Sequence, residues 1–141
     1  SSWVIRNQQH SLYFSGDTGY FPGFKDIGDK YGPFDYAFME CGAYNELWRD
    51  IHMMPEDSLQ AFKDVKGKVM VPIHNGTFDL STHAWFDPME QITKLAKENN
   101  VALLLPQIGQ LVNQKVTTIS SVWWRIKNTE PKDSTVVTAT E

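Results

Sequence analysis

Several things are scarce in this chain of 141 residues, and each scarcity excludes something. Cysteine occurs once, at Cys41, so no internal disulfide can form, and the expected setting is a reducing compartment, the cytoplasm by default. Basic residues are outnumbered: 13 Lys and Arg face 17 Asp and Glu, for a net charge of -4. Nucleic acid is therefore not an expected partner, because it calls for a basic patch. Apolar runs are short, none near the roughly 18 residues of a membrane span. The opening "SSWVIRNQQH" has no signal-peptide pattern and reads as a strand entered in mid-course. Compact metal-binding motifs such as H-x-H or H-E-x-x-H are absent.

What remains suits one folded domain. Apolar residues make up 41% and aromatics 13%, enough for a single core. Trp3–Arg6 ("WVIR") is strand-like, and "HSLYFSGD" alternates Leu12 and Phe14 before stopping in a Ser-Gly-Asp turn. "GFKDIGDKYG" predicts a short helix closed by Gly32, with Pro33 opening the next segment. "FDYAFMECG" is apolar on both faces, the mark of a central strand in a covered sheet. Pro55 suits a first helical turn, and Leu59, Phe62 and Val65 follow at helical spacing. "KVMVPI" predicts a strand, "DPMEQITKLAKENN" an amphipathic helix with Asp87 as N-cap, and "VALLLP" a buried strand.

This alternation of strand and helix through about residue 106 predicts a layered α/β architecture. Beyond Gly109 the chain reads as β-rich and suited to a sheet edge. The domain is expected over residues 1–127, with 128–141 a polar, Thr-rich tail.

In such folds ligands gather at the carboxyl ends of strands. Asp17, Glu40 with Cys41, and His74 stand at three predicted strand ends, and His52 just before a helix. Carboxylate and neutral imidazole are the usual ligands of zinc, manganese or iron. Each residue also has a plainer reading. Asp17 in "SGDTG" is good turn chemistry, and His52 fits a helix start. His74 precedes Asn75-Gly76, a strong hairpin signal, although "TFDLSTHAW" does not alternate as a return strand would. Cys41 reads as a small core residue. His10 looks like a surface residue, and His83 could be structural or back up a site. Tyr20, Phe21, Tyr44 and Trp48 lie close enough in sequence to line a pocket.

The stretches "LYFSGDTGYFPGFKDIGDKYGPFDYAFMECGAY", "IHMMPEDSLQAF" and "VPIHNGTFDLSTHAWFDP" together resemble the C-terminal half of one branch of the metallo-β-lactamase superfamily. That branch holds the N-acyl-phosphatidylethanolamine-hydrolysing phospholipase D and its bacterial relatives. The likeness runs over roughly residues 11 to 110. It implies an αββα sandwich, with a mixed sheet flanked by helices. It also implies a site in which Asp17 bridges metals, His74 is a terminal ligand and His52 binds or protonates substrate. Zinc, as one or two ions in the full-length protein, is the implied cofactor, and a small-molecule or lipid-like ester or phosphodiester the implied substrate.

Two departures stand out. Asn75 occupies a position usually held by Trp, which affects the pocket wall. The H-x-H-x-D-H motif that supplies most metal ligands in the family is absent. The chain is therefore expected to be the C-terminal part of a longer hydrolase, lacking its N-terminal half. With only Asp17 and His74 as ligands, it should bind metal weakly and be inactive alone. It should also self-associate through an apolar face. A non-catalytic binding or assembly module and a sugar-phosphate lactonase stand as the alternatives.

Overall fold

The computed structural model describes residues 1–78, 80–112 and 122–125. Among the described residues five strands form one mixed sheet in the order of the chain: β1 (Trp3–Arg6), β2 (Ser11–Phe14), β3 (Phe34–Glu40), β4 (Gly67–Ile73) and β5 (Ala102–Leu103). β1 pairs antiparallel with β2, and every later pair is parallel. The parallel pairs are joined by crossover helices: α1 (Gly23–Tyr31), α2 (Pro55–Asp64) and α3 (Asp87–Glu98). Crossovers of this kind follow from parallel pairing, since a tight turn cannot return the chain in the same direction. The α/β architecture predicted from the sequence is the one observed.

β3 is the central strand, as its two apolar faces require. Register aligns Tyr13, Ala37 and Met70 on one side of the sheet. These residues, with Met39, meet Phe24 of α1, Leu59 and Phe62 of α2 and Ile92 of α3 in a continuous core. α2 begins with Pro55, whose fixed φ suits the first turn and whose missing N–H is no loss there. Its apolar residues then face the sheet at helical spacing. The opposite side carries Leu12, Tyr36 and Phe38, all only half-buried.

Three expectations change. Asp87 is the first residue of α3, and Phe86 holds the cap position without a side-chain cap bond. The Asp87 carboxylate instead accepts from the Tyr44 hydroxyl at 2.5 Å, a tertiary contact that competes with capping. "VALLLP" shortens to the two residues of β5, although the Leu104 N–H still donates to the Met70 carbonyl. Among the described residues no return strand follows His74, and the next elements are α3 and a parallel β5, so the hairpin reading falls. The β-rich reading beyond Gly109 lies largely outside the described residues, and the described stretch 122–125 is a turn. The polar tail also lies outside them.

Candidate metal centre

The carboxyl ends of β2, β3 and β4 lie side by side, because these strands are parallel neighbours. β2 runs out into Ser15, Gly16 and Asp17. Gly16 takes a φ of 64°, a left-handed turn that glycine adopts without strain. The Ser15 hydroxyl accepts from the Glu40 N–H at 2.9 Å and so ties this turn to the end of β3. His74 follows β4 directly with a φ of 65°, uncommon for a residue with a Cβ. Non-glycine residues held in this region are found disproportionately at functional sites. His52 arrives on the loop between β3 and α2, fixed by its N–H to the Trp48 carbonyl at 3.1 Å.

Three segments far apart in sequence thus converge. The His52 and His74 rings stack at 5.0 Å between centroids and 20° between planes. His74 Nδ1 lies 3.7 Å from Asp17 Oδ1. His52 Nδ1 lies 3.1 Å from Glu40 Oε1, and Glu40 Oε2 accepts from the Met53 N–H at 2.8 Å. Ligand atoms of Glu40, His52 and His74 all lie within 4.8 Å of one another. The structure therefore brings together Asp17, His52 and His74, the three residues singled out from the sequence.

Sequence reasoning noted Glu40 only as a strand-end residue and gave it no role. Its signal was a carboxylate closing an otherwise apolar central strand. It is fully buried, and that burial pushes its carboxyl up to about 8, against the pull of the Met53 and Gly42 N–H groups. His52 is held below the usual histidine range, chiefly by burial and next by the neighbouring His74, with Asp17 opposing. Cys41 is fully buried, and burial pushes its thiol up, which fits an inert core residue.

Tyr20 and Phe21 pack on Phe24 of α1, and Trp48 donates from Nε1 to the Ala43 carbonyl at 2.7 Å. A cavity of about 410 Å³ beside His74 is instead walled by Asn75, Thr77, Phe78 and Leu80. Asn75 turns its amide inward, donating to the Cys41 and Ile73 carbonyls at 3.3 and 3.2 Å.

The sequence pattern of the β-lactamase superfamily domain matches residues 1–75, more than half of the chain and all of the segment from β1 to His74 and Asn75. The chain belongs to the metallo-β-lactamase superfamily. An uncharacterised protein of Mycobacterium tuberculosis is 40% identical over 129 residues, which is 89% of this chain and 35% of that protein. An N-acyl-phosphatidylethanolamine-hydrolysing phospholipase D of Caenorhabditis elegans is 33% identical over 99 residues, 67% of this chain and 28% of that protein. Igni18, a metallo hydrolase of the archaeon Ignicoccus hospitalis, superimposes with a TM-score of 0.60 and 26% identity, covering 77% of this chain and 43% of that one. The chain thus spans about a third of the length of these two curated relatives.

Proposed function

We propose that this chain supplies the Asp17, His52 and His74 portion of the active site of a metal-dependent hydrolase acting on an ester or phosphodiester. The observation that carries the reading is the convergence of these three side chains at the carboxyl edge of a parallel sheet, beside a cavity. The Asp17 carboxylate and the His74 imidazole, 3.7 Å apart, are donors that suit a borderline cation such as zinc. Zinc, when bound, supplies Lewis acidity and lowers the pKa of a coordinated water towards neutrality.

The chain's own residues take distinct parts. Asp17 and His74 are the groups that would hold the ion. Glu40 is better suited to orient than to ligate, because its two oxygens are already engaged by the Met53 N–H and the His52 ring. The Glu40 carboxyl, protonated at neutral pH, donates to Nδ1, which fixes the His52 ring and leaves the ring proton on Nε2, the nitrogen open to substrate. With its pKa held down, His52 is neutral at neutral pH and can pass the Nε2 proton to a leaving oxygen. The apolar walls at Phe78 and Leu80 favour a substrate with an apolar portion, lipid-like rather than a sugar phosphate.

The family's remaining ligands are proposed to lie on another part of a longer protein. Zinc titration of this chain with a generic phosphodiester assay tests that. The expected result is weak binding and no turnover, and robust turnover by the chain alone would overturn it.

A further inference from the structure

His83 holds a buried ring nitrogen for which the centre above has no use. Its Nδ1 lies 3.0 Å from the Ala84 carbonyl oxygen, which can only accept, so Nδ1 carries the proton. The neutral ring then presents Nε2 as a bare acceptor, and Nε2 is buried with no hydrogen-bond partner among the described residues. Nor is the ring free to swing outward. It stacks on Tyr44 at 4.1 Å and 29°. Its loop is fastened to the end of that same segment, by the Ser81 hydroxyl on the Tyr44 carbonyl at 2.7 Å and Asn45 Nδ2 on Thr82 Oγ1 at 2.9 Å. Buried polar groups are almost always satisfied, if not by protein then by ordered water.

A cavity of about 20 Å³ adjoins His83, enclosed by Ala43, His74, Asn75, Gly76 and Pro88 among its walls. One water needs about 10–15 Å³ and at least two polar partners, so the space holds one water and nothing larger. Asn75 offers the second partner. Its Nδ2 is committed to two carbonyls, while its Oδ1 accepts from no donor among the described residues. Two acceptors on one cavity match the two protons of a water molecule.

We propose that this cavity binds a single water that donates to His83 Nε2 and to Asn75 Oδ1, and that His83 thereby positions the turn carrying His74. The water joins the loop of residues 81–84 to the residue next to His74, whose left-handed backbone has little regular structure to hold it. The inference does not depend on the hydrolase reading.

Nitrogen NMR of the full chain, with water-to-protein cross-relaxation, tests it directly. The expected spectrum shows His83 as the Nδ1–H tautomer, with Nε2 shifted from the free-lone-pair position and a cross peak between a long-lived water and the ring Hε1. An Nε2–H tautomer, or a folded wild-type chain with no such water, overturns the proposal. His83→Phe keeps the ring shape and removes the acceptor; it should abolish the water signal and shift the His74 imidazole resonances. Loss of the water with His74 unmoved would overturn the positioning role. If that variant does not fold, the wild-type tautomer and water signals still decide whether the site exists, and Asn75→Leu gives the second reading of His74.

Discussion

The two faces of the sheet are built from the same strands, yet they meet different surroundings. Tyr13, Ala37, Met39 and Met70 have no exposed surface, because α1, α2 and α3 cover their side. On the other side Leu12, Tyr36, Phe38 and Val71 line an open cavity of about 440 Å³. Along the same side Trp3 is 63% exposed, Ile5 55% and Phe14 39%. Largely parallel sheets are ordinarily covered on both faces, so a parallel sheet with a second apolar face is built to be covered there as well. The comparison teaches that the helices complete only half of the burial that the strand sequences call for.

The largest effects belong to the covered face. Met39→Ala leaves a cavity under α2 and should cost about 2–5 kcal/mol, read as a drop in the urea midpoint at unchanged slope. A loss below about 1 kcal/mol would mean that the helical layer is no better packed than the open side, and the contrast would collapse.

Next comes Glu40, which by strict alternation shares its side with Tyr36 and Phe38 yet is fully buried at the carboxyl edge. Its pKa in the folded chain is about 8, above the ordinary 4.5, so the folded state holds a proton that the unfolded state releases. That stabilisation is complete below about pH 4.5 and is lost as pH rises through 8, an effect of a few kcal/mol in the metal-free chain. His52 works the other way, because its lowered pKa makes stability fall as pH drops below about 6.5. Urea midpoints measured from pH 5 to 9 should therefore decline on the alkaline side, and Glu40→Gln should flatten that decline. An unchanged slope in the variant would assign the dependence to another group.

The covered face is also the part that the sequence showed most clearly. The continuous apolar run of β3 and the helical spacing of α2 and α3 can be read within short windows, so apolar pattern alone reveals them. Asp17, His52 and His74 could be singled out because strand ends are where polar residues gather, and the motifs around them strengthened the choice. The role of Glu40 was not legible, because what buries it is the loop bearing His52 and Met53, a contact 12 and 13 residues away. Asp87 misled for the same reason: local capping preference was outweighed by Tyr44, 43 residues earlier. The walls at Phe78 and Leu80 follow from the path of a loop that has no period to read.

The smallest expected change in stability, and the sharpest test of the comparison, lies on the open face. Ile5 is 55% exposed on β1, a strand whose four residues are all exposed at the end of the sheet. Replacing it by Lys removes little buried surface and should alter stability by no more than about 0.5 kcal/mol. Edge strands bearing exposed apolar side chains invite pairing with another chain, and a lysine there is a standard obstacle to it. Light scattering should show the wild-type chain associating with rising concentration, and Trp3→Lys with Ile5→Lys should shift it towards monomer while the urea midpoint stays put. If the wild-type chain is already a clean monomer at high concentration, the open face is not sticky, and the exposed Trp3, Ile5 and Phe14 are then tolerated singly rather than forming a surface that awaits a cover.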